Sequence, residues 1–160
     1  MRISIIGVGK MKNGPERELV NRYQSRARAS GKNLGLSDFN IIELSESRAA
    51  SSKSRKAEEA TAILKIIPAE AQIVALDETG QTLTSQKFAD FIESNNDNGK
   101  KHLVFIIGGA DGLDQKIRQR ASLVLSFSPL TWPHQIVRIL LCEQLYRMTT
   151  ILSRHPYHRS

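Results

Sequence analysis

The chain has 160 residues, 40% of them hydrophobic and 24% charged, a balance that suits a water-soluble globular protein of one-domain size. No apolar run approaches the roughly 20 residues of a membrane span, and a single cysteine, Cys142, excludes an internal disulfide framework. Lys and Arg number 23 against 16 Asp and Glu, a net charge of +7, which favours a polyanionic partner.

The first apolar segment, RISIIGV (2–8), is preceded by too little positive charge for a signal peptide, has no small-residue cleavage pattern, and reads as a strand. Residues 15–29 open with Pro15 and two glutamates and place Leu19, Tyr23 and Ala27 on one side, the pattern of a helix. FNIIEL (39–44) is a second strand. The Ser-rich basic stretch 45–56 is the softest of the chain, either a loop that touches a partner or a solvated entry into a helix over 52–66, which Pro68 stops. QIVAL (72–76) is a third strand. Thr84 and Ser85 cap a helix over 85–94 with Phe88, Phe91 and Ile92 at helical spacing. HLVFIIG (102–108) and SLVLSF (122–127) are the fourth and fifth strands, with a short helix near 114–121 between them. From Pro133 a long helix carries an apolar stripe through Leu152, and its polar face shows Arg138, Glu143, Arg147 and Arg154. Glu143 stands four residues before Arg147, the favourable order for an intrahelical ion pair.

Strands that are short and apolar throughout, alternating with helices, predict an α/β domain over residues 1–160. Its sheet is expected to be mostly parallel, with helices on both faces. With one cysteine and no export signal, a reducing cytoplasm is the expected compartment.

In such folds ligands bind beyond the carboxyl ends of the strands, so the segments that follow the strands are the candidates. GVGKMKNG after the first strand carries Gly7 and Gly9 but no third glycine at dinucleotide spacing. A tight turn is the simpler reading, and a Rossmann-type nucleotide site using Gly7, Gly9 and Glu43 is the rival. ALDETG after the third strand offers Leu76 beside Asp77 and Glu78. IIGGADGL after the fourth pairs Gly108 with Gly109, which exposes bare backbone to a ligand, and the absence of a following Lys-Ser/Thr favours an uncharged or cationic ligand over a phosphate. SFSPLTWPHQIVR after the fifth brackets Leu130, Thr131 and Trp132 between Pro129 and Pro133, a stiffened edge, and leads into His134 and Arg138. The terminal HPYHRS concentrates titratable and basic groups where a chain is usually frayed.

These motifs in order (VGK, ALDETG, FIIGGADG, LSFSPLTWPHQIVR, EQLYR and HPYHR) resemble, along the whole chain, the RlmH family of large-subunit ribosomal RNA pseudouridine methyltransferases within the SPOUT superfamily. The resemblance implies a C-terminal trefoil knot, a homodimer and S-adenosyl-L-methionine as methyl donor. It places the donor on Leu76, Gly108, Gly109 and the run Phe127, Ser128, Pro129, Leu130, Thr131 and Trp132. It also implies a target, N3 of a pseudouridine in the intersubunit stem-loop of 23S rRNA, methylated on assembled ribosomes.

Methyl transfer from a sulfonium needs a positioned nucleophile and an acceptor for the weakly acidic N3 proton. His158 is the candidate base or uracil-orienting group, Arg154 the anion stabiliser and Tyr157 the stacking platform. Arg138, Arg147, His155 and Arg159 are candidate RNA contacts, although Arg138 and Arg147 could instead pair with Glu43, Glu143 or a partner chain. His155 and His158 alone lack the further ligands of a metal site, and no metal is expected. A ribosome-binding factor without chemistry would explain the charge and the tail but leave the three loops without a role.

Overall fold

The computed structural model describes residues 1–158; Arg159, an expected RNA contact, and Ser160 lie outside the described residues. Five strands form one sheet: β1 (Arg2–Val8), β2 (Asp38–Leu44), β3 (Gln72–Thr82), β4 (His102–Ile107) and β5 (Leu123–Ser126). The order is β2-β1-β4-β3-β5, and every neighbouring pair runs parallel. All five carboxyl ends therefore share one edge.

Four α-helices connect them, α1 (Pro15–Gly31), α2 (Ser52–Ile66), α3 (Ser85–Asp97) and α4 (Gln115–Arg120), and a fifth, α5 (His134–Leu152), follows β5. The strands are buried on both sides, which explains their unbroken apolar sequences. Ile3, Ile5, Val74, Leu76, Leu103, Phe105 and Ile107 join Val20, Phe88, Ile92, Leu141 and Leu145 of α1, α3 and α5 in one core. The alternate residues Ile6, Val8, Ile73, Ala75, Val104 and Ile106 join Ala60, Ile63 and Ile117 of α2 and α4 in the other.

Local signals act as the sequence predicts. Thr84 Oγ1 accepts the Lys87 amide at 3.2 Å and starts α3. Ser51 accepts the Ser54 amide at 3.1 Å, so the Ser-rich stretch resolves into a capped entry to α2. The Glu143–Arg147 pair forms within α5 at 2.6 Å. The difference lies in β3, which continues to Thr82 by breaking register with β5 between Leu76 and Gln81. Gly80 sits in that break with no room for a side chain, since a Cβ there would lie 2.7 Å from the Val124 carbonyl oxygen.

Among the described residues no helix is long and apolar enough to cross a membrane.

Candidate functional site

Strands β4 and β5 end in two of the three segments singled out from the sequence, and the third, from Leu76, lies at the register break inside β3, which runs between them in the sheet. Leu76, Gly108 with Gly109, and Phe127 to Trp132 are thus brought to one edge of the sheet. Residues separated by about 50 positions become neighbours because parallel strands deliver all their exits to one side.

The loops are tied to one another. Ser126 Oγ lies 3.1 Å from the Glu78 carbonyl oxygen and accepts the Ser128 amide at 3.1 Å. The Thr131 hydroxyl donates to Glu78 Oε2 at 2.7 Å. Glu78, read from sequence as an acid-base or solvated carboxylate, is thus the link between the register break of β3 and the exit of β5. Asp77 accepts from Thr79 and faces Arg118 Nη1 at 3.5 Å. Burial pushes its pKa up, but the Thr79 hydrogen bonds and Arg118 outweigh it and hold the carboxyl below the usual range. Pro129, Leu130, Thr131 and Trp132 are exposed, Leu130 at 66% and Trp132 at 41%, so apolar surface stands open at the site.

The paired glycines serve the loop itself. A Cβ on Gly108 would lie 2.8 Å from the Gly112 carbonyl carbon and 3.1 Å from the Leu113 amide, and one on Gly109 would press on Val8 Cγ1 at 3.1 Å. The absent side chains let the segment curl against its own backbone and the end of β1. Gly112 adopts a positive φ of 79° with nothing within 4 Å of its Cβ position. The fit to a methyl-donor sulfonium rests on donor chemistry. Residues 76–84, 108–114 and 127–133 contain Asp77, Glu78, Asp111 and Asp114 and not one Lys or Arg. Arg55 is paired with Asp111 at 2.6 Å and Arg118 faces Asp77 at 3.5 Å, so two of the four carboxylates are already matched. Apolar Leu76, Leu130 and Trp132 with backbone amides suit a flat heterocycle, and the segments carry no basic side chain of their own to grip a phosphate.

Arg138 is a correction. It is fully buried, at 0% exposure, and so is not an RNA contact. Its Nη2 donates to the Val8 and Gly9 carbonyls, both at 2.6 Å, and Nη1 to Glu43 Oε1 at 3.0 Å. The alternative pairing with Glu43 is the one that forms. Glu43 also accepts from Arg17 at 2.9 Å and from the Met11 amide at 3.1 Å. Burial raises its pKa, but Arg17, the Met11 amide and Arg138 together lower it more. The Rossmann rival fails at the same place. A Cβ on Gly7 would lie 2.5 Å from Arg138 Nε, so the bare backbone of Gly7 is covered by a guanidinium and Glu43 is already engaged. Gly7 is also no turn residue; it lies within β1, and only Gly9, at φ 88°, turns the chain. His134, at the start of α5, has its pKa lowered by burial and then by Arg138, with Glu46 opposing.

The tail folds back on the middle of α5. The Tyr157 ring packs on Tyr146 with centroids 4.7 Å apart and lies under Arg147, whose Cζ is 4.9 Å from its centroid. Its hydroxyl donates to Glu143 Oε1 at 3.1 Å, and burial followed by Glu143 pushes its pKa up to about 12. Arg154 takes a left-handed φ of 54° and turns the chain, and the His155 amide closes on Thr150 O at 2.8 Å. Arg154 and His155 are exposed. His158 Nδ1 is buried with no hydrogen-bond partner among the described residues.

A family model described as "Predicted SPOUT methyltransferase" matches residues 1–158. Curated relatives similar over the full length of both chains include proteins named "Ribosomal RNA large subunit methyltransferase H". That of Allorhizobium ampelinum is 52% identical over 160 residues, that of Bradyrhizobium diazoefficiens 50%, and that of Brucella anthropi 52%.

Proposed function

Because the chain belongs to the SPOUT methyltransferase family, we propose that it is a ribosomal RNA large-subunit methyltransferase. Its donor is S-adenosyl-L-methionine and its target N3 of a pseudouridine in the intersubunit stem-loop of 23S rRNA, reached on assembled ribosomes in the cytoplasm as a homodimer of 160-residue single-domain subunits. The family also carries the C-terminal trefoil knot that the resemblance implies. The observation that supports this reading most directly is the meeting at one edge of the sheet of three segments, after β4, within β3 and after β5, that carry no Lys or Arg of their own.

The bound donor supplies an activated methyl group on a sulfonium, whose departure needs no acid. Leu76, Leu130 and Trp132 provide apolar walls, Gly108, Gly109 and the Phe127–Ser128–Pro129 backbone provide polar edges, and Thr131 is held in place by Glu78. What remains for the protein is to orient the uracil ring and take the proton from N3. His158 takes that proton. Arg154 and His155 face the RNA, Arg159 extends the same basic run, and Arg147 stacks on Tyr157 while its charge is shared with Glu143. Tyr157 acts as the anchor of the tail, since its ring is already packed between Tyr146 and Arg147.

The position of that anchor supports the dimer. Glu143 is nine residues along α5 from His134, about 13 Å at 1.5 Å per residue, so the tail is fixed well away from its own donor loops. A tail that faces a donor pocket faces that of a second copy. Calorimetry with S-adenosylmethionine, followed by single-turnover methylation of ribosomes that lack the modification, tests the reading. Donor binding and one methyl per ribosome at pseudouridine N3 are expected; a folded protein that binds no donor, or that methylates another position, would refute it.

A further inference from the structure

Loop 127–133 is held from three sides, and only one holder comes from β1. Ser126 and Thr131 tie its start and middle to Glu78 of β3. Its far end runs through Pro133 into the first turn of α5, where Val137 N bonds Pro133 O at 3.1 Å. The next residue is Arg138, whose Nη2 is hydrogen-bonded to the last two carbonyls of β1's exit, Val8 and Gly9. Those carbonyls are free for it because β1 ends at Val8 and Gly9 turns away at positive φ.

In the sheet β4 lies between β1 and β3. A donor held between the β4 exit and loop 127–133 would therefore have its space set by how far that loop is drawn toward β1. Arg138 sets that distance. Its role needs a planar fork rather than a point charge, because one face lies on Gly7 with no Cβ between while the edge reaches two carbonyls and a carboxylate at once. Glu43 and, behind it, Arg17 from α1 fix the fork from the other side.

We propose that Arg138 is a positioning residue for the methyl-donor pocket, bolting the start of α5, and with it loop 127–133, to the exit of β1. The inference rests on the assignment of that loop to the donor, but its first readout does not. Hydrogen exchange on the ligand-free full-length protein should show residues 127–133 exchanging at least about tenfold faster in Arg138→Lys, with β4 residues 103–107 unchanged. Calorimetry should show S-adenosylmethionine binding weakened at least about tenfold, while the single-turnover rate at saturating donor stays within about twofold, since positioning acts on the pocket and not on the acceptor of the N3 proton. Leu103→Ala, a core change at the opposite end of β4, should lower the melting temperature yet leave donor affinity within about twofold.

If Arg138→Lys does not fold, Glu43→Gln serves, because it keeps the shape of the carboxylate and an accepting oxygen, removes its charge and leaves both carbonyl partners in place; about threefold effects on both readouts are expected. Folded variants with wild-type exchange in 127–133, or a Leu103→Ala control that loses as much donor affinity, would overturn the proposal. Faster exchange in 127–133 in a protein that shows no donor affinity even as wild type would leave the bolt standing and bring down the methyltransferase reading instead.

Discussion

Replacing Gly7 by alanine separates two physical pictures of the N-terminal G-x-G. In an ordinary strand the change removes backbone freedom from the unfolded chain and stabilises by about 0.5–1 kcal/mol. Gly7 has no positive φ to forbid a side chain, so backbone strain plays no part. The obstacle is Arg138. The new Cβ would stand 2.5 Å from Nε and 2.7 Å from Cζ and Nη2, about 1 Å inside normal contact. The guanidinium is buried on every side and hydrogen-bonded at 2.6–3.0 Å, so it cannot yield by swinging into solvent.

Overpacking of this kind costs about 1–3 kcal/mol. If the guanidinium is displaced far enough to leave Glu43 and the two carbonyls, the cost rises toward the roughly 3–5 kcal/mol of a broken buried ion pair. A net loss of about 2–3 kcal/mol is expected, a fall in melting temperature of roughly 4–12 °C for a chain of this size. Urea unfolding at fixed protein concentration measures it. The double variant Gly7→Ala, Arg138→Met should show non-additivity of at least about 1 kcal/mol, since the second change removes the group the first one strikes. A Gly7→Ala protein as stable as the wild type, or more so, would refute the assignment of Gly7 as the seat of Arg138.

Acid should weaken the fold in two steps. His134 is held below its ordinary pKa of about 6.5, so as pH falls below that value the unfolded chain takes up a proton the folded chain refuses. Stability drops there, and His134→Gln should flatten that limb of the urea midpoint against pH. The lowered Glu43 contributes stability above about pH 4.3 that is lost as pH falls through its folded value, so the second limb should survive in the histidine variant. Tyr157→Phe keeps the ring stack on Tyr146 and removes the bond to Glu143; a local loss of about 1 kcal/mol should speed carboxypeptidase trimming of the tail roughly fivefold with the melting temperature unchanged. Cys142, 2% exposed and with its thiol pushed up to about 12 by burial, should react with iodoacetamide only as fast as the chain unfolds.

What was legible in the sequence follows from the range over which each signal acts. Unbroken apolar strands, a Thr cap and an i,i+4 ion pair are local, and β1, β2, β4, β5, the start of α3 and Glu143–Arg147 stand where the residues put them, whereas β3 runs six residues past its expected end at Leu76, across a register break that no local pattern marks. The three loops were also legible, because strand exits in a parallel sheet share one edge whatever the strand order. Arg138 was not. On a helical wheel it falls on the polar face of α5, and nothing within a turn of it says that the facing strand has left a gap at Gly7, 131 residues earlier. The gap is visible only once β1 lies beneath α5. The same holds for the glycines after β4, whose bareness reads as room for a ligand until Gly112 and Leu113 are seen folded onto Gly108. A glycine in the sequence marks where a side chain is excluded, and only the tertiary partner tells whether a ligand, a backbone or a guanidinium does the excluding. At Gly7 it is the guanidinium, which is why the motif that looked most like a nucleotide site is the part of the edge least able to hold one.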